Sequence, residues 1–283
     1  MSLWTGWKAK PPQGTPLDRD HGLCQGLAAF WACNEGAGGR LVDVMNGTVL
    51  SAYSYGSNNP WSSVNTQNGI ISSADYECFW AAMPPSLQLS WPITIAIGLA
   101  NIGNAGSHNN MLFGALPTST GASPYECWTL YKLTNNHFDA TWNNGSEQDL
   151  DTGTALAANT NYVLAATFTS SNQYAYINGL LSATGSTSSG SGPTYGATPT
   201  LALGTYYGGT NSYAGALFSW AAVWNRALSA EEHSLIGSTP DAIWQMFASP
   251  IPWWLEASGT VVIPFIAPEP YVISQASKRA SYY

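Results

Sequence analysis

The chain has 283 residues, of which 45% are hydrophobic, 13% aromatic and only 8% charged, with a formal net charge of −8 at pH 7. Eight Lys plus Arg leave too few cations for a nucleic-acid binder, which must neutralise phosphates, and no run approaches the roughly 18 apolar residues of a membrane helix. Twenty-eight Gly with 13 Trp and 15 Tyr instead fit one large domain of broad sheets joined by many tight turns.

Residues 1–21 form an arm containing Trp4, Trp7, Pro11, Pro12 and Pro16, too rich in proline for a helix. Its opening, MSLWTGWKAKPPQGTPLDRD, lacks the apolar core of a secretory signal, so synthesis in the cytoplasm and exit by another route, such as lysis, is expected. Residues 22–247 read as the folded body, opening on a strand through Gly26-Leu27-Ala28-Ala29-Phe30-Trp31. Cys24, Cys33, Cys78 and Cys127 make an even count without a CxxC pair. A chain this long needs no covalent staples, which favours free buried thiols over disulfides. Tyr76-Glu77-Cys78-Phe79 and Tyr125-Glu126-Cys127-Trp128 share a pattern that two related strands on facing sheets, or chance, would produce.

Within Asn161–Glu232 the elements are sharpest. Tyr162, Leu164, Ala166 and Phe168 alternate with Val163, Ala165 and Thr167, and a second apolar run holds Tyr174, Tyr176 and Ile177. The turn formers Ser170-Ser171-Asn172 part the two runs, which predicts a hairpin. Asn178-Gly179 then closes its second strand with the dipeptide most tolerant of positive φ. Leu201–Gly204 and Ala216–Trp224 predict two more strands, the second buried on both faces. Ser229-x-x-Glu232 is a capping box opening a helix. A second short helix is expected from Thr239-Pro240, with proline at its first position, ending before Pro250. Residues 248–283 form a tail with strand-like Val261-Val262-Ile263 and Tyr271-Val272-Ile273.

This order resembles the concanavalin A-like jelly roll, and within it the laminin-G-like group. The motifs that carry the resemblance are Tyr176-Ile177-Asn178-Gly179, Leu203-Gly204, Tyr213-Ala214-Gly215 and Asn225-Arg226-Ala227-Leu228-Ser229. Near the start they are Asn34-Glu35-Gly36-Ala37-Gly38, Asp43 and Asn46-Gly47-Thr48. The implied architecture is an all-β jelly-roll sandwich with one or two short C-terminal helices and extended arms. Lys10-Pro11-Pro12-Gln13-Gly14, His21-Gly22-Leu23, Ala242–Phe247 and Trp253-Trp254 look like the opening and closing segments of laminin-G-like proteins of tailed bacteriophages. The resemblance implies a non-enzymatic virion component (capsid decoration, head fibre or tail accessory), made in the host cytoplasm and present in many copies or as a homo-oligomer. Its arms would dock on other virion proteins by strand addition, or pack on their own domain.

For a ligand, the strongest sequence reading is sugar. Trp142-Asn143-Asn144, Asn135-Asn136 and Tyr206-Tyr207-Gly208-Gly209-Thr210-Asn211 pair aromatic faces with amide groups on predicted loops, although ordinary turns use the same residues. Trp142, Asn143, Asn144, Tyr206, Tyr207 and Asn211 are therefore the candidate glycan contacts. Laminin-G-like relatives hold Ca²⁺ through hard oxygen ligands, which makes Asp43 and Asn46 candidates here; the same pair also suits an Asx turn before Gly47. Their late strand often reads Gly-x-Ile-Asp-Glu, and Gly215–Ser219 lacks both acids. The superfamily's glucanases alternate carboxylates along one strand, as Glu147-Gln148-Asp149-Leu150-Asp151 does. The last acid here is the shorter Asp151, next to a turn, and no catalytic role is expected. His21, His108, His137 and His233 show no metal-ligand spacing.

Overall fold

A computed structural model describes residues 10–53, 60–64, 67–72, 77–100, 102–103, 109–117, 127–143, 146–187, 192–204, 216–239, 241–248, 256–257 and 260–261. The chain divides into two compact units, Met1–Ala248 and Ser249–Tyr283. In the first, chain order runs β1 (Leu27–Trp31), β2 (Arg40–Val42), β3 (Val49–Tyr53), β4 (Trp61–Val64), β5 (Gln67–Ser72), β6 (Cys78–Ala82), β7 (Ile93–Ala100) and β8 (Asn110–Leu116). It continues with β9 (Trp128–Lys132), β10 (His137–Asn143), β11 (Glu147–Ala155), β12 (Tyr162–Phe168), β13 (Asn172–Ile177), β14 (Leu180–Ser186), β15 (Thr200–Leu203), β16 (Ala216–Trp224) and helix α1 (Ala230–Gly237).

The strands form two eight-stranded antiparallel sheets. The first has the order β14-β13-β12-β7-β16-β5-β4, with β1 also on β16; the second runs β11-β10-β9-β8-β15-β6-β3-β2. Alternation along each strand assigns its faces. On β7, Ile93, Ile95, Ile97 and Leu99 enter the core between the sheets, together with Trp31, Phe113, Trp128, Phe138 and Trp142. Ala96, Val163, Ala165, Trp220, Ala222 and Trp224 face the other way, into a second cluster completed by Leu17, Leu23, Ile236, Ile243, Trp244 and Phe247. Strands β7, β12 and β16 are thus covered on both faces, which is why they read as continuous apolar runs.

The expected hairpin is β12–β13, with Leu164 opposite Ile177 and Thr167 opposite Tyr174. Asn178 and Gly179 both have positive φ, 51° and 78°, as a two-residue connection between right-twisted strands requires. The capping box forms in full: Glu232 N–H donates to Ser229 Oγ and Ser229 N–H to Glu232 Oε2. The four cysteines are free and buried.

Two expectations need correction. The second helix begins at Ala242, not Thr239-Pro240, and is a 3-10 turn over Ala242–Met246. It stops there because Phe247 bridges to Leu17 and Ala248 N–H donates to Pro16 O, drawing the chain out straight. Cys78 lies in β6 and Cys127 immediately precedes β9, so both belong to the second sheet rather than to facing ones; Tyr76, Tyr125 and Glu126 lie outside the described residues.

The described part of the N-terminal arm packs on its own domain. Lys10 Nζ donates to Cys33 O (2.8 Å) and Ser219 O (2.9 Å) and sits 5.5 Å from the Trp244 ring centroid. Burial lowers the Lys10 pKa to about 8. In the second unit, Glu256–Ala257 pairs with Thr260–Val261; Val262, Ile263 and Tyr271–Ile273 lie outside the described residues.

Candidate functional site

The second sheet carries a groove on the face turned away from the core. Its residues come from the β10–β11 hairpin and from β9. Phe138, Ala140, Trp142 and Leu150 point inward, so the alternate positions Asp139, Thr141, Glu147, Asp149 and Asp151 point out. Pairing of the two strands sets Asp139 opposite Asp151, Thr141 opposite Asp149 and Asn143 opposite Glu147. Tyr131 of β9 lies beside Asp139. With Asn109 and Leu133 these groups line a cavity of about 330 Å³.

One hydroxyl joins two of the acids. Thr141 Oγ1 is 2.7 Å from Asp139 Oδ1 and 3.0 Å from Asp149 Oδ1. A hydroxyl has a single proton to donate, so it satisfies both oxygens only when one carboxyl brings its own. Asp139, 3% exposed, is the more readily protonated of the two. Burial, then the charges of Asp149, Asp151 and Glu147, raise its pKa to about 7 against the opposing Thr141 hydrogen bond. At the rim, His137 Nδ1 lies 3.0 Å from Asp151 Oδ1, and Gly153 N–H donates to the same oxygen at 2.7 Å. Partial burial works against these two contacts, which nonetheless hold Asp151 below the usual carboxylate range.

Of the sequence candidates, Asn144, Tyr206, Tyr207 and Asn211 lie outside the described residues. Trp142 is not on a loop: it sits in β10, fully buried, packed edge-on against Trp91 with centroids 4.9 Å apart. It therefore presents no face to a sugar. Asn143 is 2% exposed and its carbonyl accepts Thr194 N–H. Asp43 and Asn46 build the Asx turn. Asp43 Oδ1 accepts Phe30 N–H (2.8 Å) and Met45 N–H (2.9 Å), and Oδ2 accepts Asn46 N–H (3.0 Å). Among the described residues no group of three or more His, Cys, Asp or Glu is arranged to hold a metal ion.

The sequence reading picked out Glu147, Asp149 and Asp151 but missed Asp139, Thr141 and Tyr131. The signal was present in His137-Phe138-Asp139-Ala140-Thr141-Trp142-Asn143, whose polar residues recur at every second position.

Two twisted antiparallel sheets with a polar groove on one outer face define a lectin-like β-sandwich. Residues 99–232 match the laminin G family model described as the concanavalin A-like lectin/glucanases superfamily. No curated protein matches the chain. Among solved structures, a Trypanosoma rangeli sialidase aligns at 13% identity and TM-score 0.55, over 77% of this chain and 33% of that one. The receptor binding domain of botulinum neurotoxin C/D mosaic serotype aligns at 13% identity and TM-score 0.53, over 75% of this chain and 51% of that one. The binding domain of botulinum neurotoxin serotype D/C VPI 5993 gives 14% and 0.52, over 75% and 52%. The chain thus spans about a third of the sialidase and half of the toxin domains, and what it shares with them is the fold.

Proposed function

We propose that this protein is a non-enzymatic, lectin-like accessory component of a bacteriophage particle that binds host-surface or environmental glycans in the groove over β9–β11. The observation that carries the glycan reading is the row of carboxylates and the Thr141 hydroxyl held on a rigid hairpin beside Tyr131. Ionised carboxylates accept strong hydrogen bonds from sugar hydroxyls, and sites built on strands hold their geometry better than sites on loops. The particle reading is supported by the phage-like opening and closing segments of the sequence. It places the protein in the virion, with other virion proteins as partners of the arms and many copies on each particle.

A glycan array with the full chain tests the first part. Binding to a defined sugar, weakened at least tenfold (about 1.4 kcal/mol) by Asp149→Asn, is the expected result; undiminished binding in that variant moves the site elsewhere. Peptide mass spectrometry on gradient-purified particles tests the second, and absence of its peptides from particles, with abundant soluble protein in the lysate, would sink the virion role.

One observation favours a second reading, glycoside hydrolysis. A protonated Asp139 linked through Thr141 to Asp149 resembles the unequal carboxyl pair that such chemistry uses. Reducing-end release from a polysaccharide, abolished by Glu147→Gln or Asp149→Asn, would establish it.

A further inference from the structure

The first sheet ends in a strand that carries no charge of its own. β14 is its outermost strand, so alternate N–H and C=O groups along one side have no ladder partner. Proteins commonly guard such an edge with Lys, Glu or Pro, and Leu180-Leu181-Ser182-Ala183-Thr184-Gly185-Ser186 has none of these. The deficit extends beyond the strand. No Asp, Glu, Lys or Arg occurs between Asp151 and Arg226, in a chain with a net charge of −8. Among the described residues, Leu180 and Leu181 are also the most exposed of the large hydrophobics, at 73% and 55%.

We propose that β14 is a self-association edge, at which two copies of this chain join by antiparallel β14–β14 pairing and continue the first sheet from one copy into the other. Charge selects both the occupant and the edge. Two chains of the same net sign repel wherever their charged surfaces meet, so they approach best through an uncharged strip. Of the other outer strands, β11 carries Glu147, Asp149 and Asp151, β2 carries Arg40, β4 has only four residues, and β1, paired to β16 alone, is buried along nearly its whole length. An antiparallel pair of identical strands satisfies both copies' outward N–H and C=O groups at once. The extra residue Ser182, which opens a bulge opposite Ala175 and Tyr176, confines regular pairing to Ala183–Ser186 and so fixes the register near Thr184.

The test is light scattering behind size exclusion on the full chain over a concentration series. The wild type should double in mass as concentration rises, whereas Leu181→Lys/Thr184→Lys should stay monomeric with an unchanged circular dichroism spectrum. A wild type that is monomeric throughout, or a charged variant that still dimerises, overturns the proposal. Should the charged variant misfold, Thr184→Cys replaces it. All four native cysteines are buried, so mild oxidation should give a dimer linked through residue 184. Absence of that link while the protein dimerises would place the interface on another edge.

Discussion

The imidazole of His233 lies flat on the Tyr176 ring, with centroids 3.6 Å apart and planes 10° from parallel. Its proton position is fixed by a chain of hydroxyls. Thr94 Oγ1 donates to Arg226 O at 2.8 Å and accepts Leu228 N–H at 3.1 Å. Thr167 Oγ1, 3.0 Å away, must therefore donate to Thr94. His233 Nε2, 3.0 Å from Thr167 Oγ1, then supplies the remaining proton. Nδ1 is left as a bare, buried acceptor without a partner, and burial lowers the His233 pKa from 6.5 to about 4.

Protonation of this residue should therefore destabilise the domain in acid. The unfolded state binds the proton near pH 6.5 and the folded state only near pH 4, so the contribution is complete above 6.5 and is lost as pH falls toward 4. The shift corresponds to about 3 kcal/mol. Urea unfolding at intervals across that window should show that His233→Gln, which keeps a donor for Thr167, loses less stability than the wild type as pH falls. An unchanged slope in the variant would remove His233 as its source.

Asp139 acts with the opposite sign. Its folded pKa of about 7 exceeds the unfolded 3.8, so the folded state holds the extra proton and stability falls as pH rises from 4 to 7. Asp139→Asn should accordingly stabilise the domain at pH 8, by about 4 kcal/mol, with little effect at pH 4. Because the two residues oppose each other over overlapping windows, the wild-type profile should be flatter than either variant's. A profile for Asp139→Asn parallel to wild type would show that this carboxyl ionises normally.

The sequence was most legible where one local rule sufficed. Asn178-Gly179, the Ser229–Glu232 box and the apolar run Ala216–Trp224 each state their structure within a few residues. The groove was harder, because its chemistry comes from a pairing. Asp139 meets Asp149 and Asp151 only once β10 pairs with β11 in register, and an isolated Asp between Phe138 and Ala140 signals nothing alone. Trp142 misled because the following Asn-Asn-Gly looks like a loop, although the alternation from Phe138 onward already placed it on the inward face.

Trp142 consequently belongs to stability rather than to recognition. Trp142→Ala should cost about 3–5 kcal/mol by leaving a cavity against Trp91. Its Nε1 has no hydrogen-bond partner, so Trp142→Phe loses no such bond and should retain most of the stability. Glycan affinity in Trp142→Phe should match wild type. A selective loss of affinity in a fully stable Trp142→Phe protein would return the residue to the binding site.

The end of α1 offers a case in which helix propensity and packing predict opposite signs. Gly237 closes the helix, where alanine is ordinarily favoured by up to about 1 kcal/mol. A Cβ there would run into the backbone of Asn178 and Gly179. A Cβ on Gly179 would in turn meet His233 O at 2.5 Å and Ser234 Cα at 2.8 Å. The Tyr-x-Asn-Gly turn and the helix are thus seated glycine against glycine, backbone to backbone, and neither side has a flexible chain that can yield. Gly237→Ala should therefore destabilise the domain by about 1–3 kcal/mol, as overpacking does. Ser234→Ala, on the exposed side of the same helix, should be neutral or slightly stabilising. Thermal unfolding of the two variants separates the effects: a Gly237→Ala protein at least as stable as wild type would mean that the helix end is free to move off the turn.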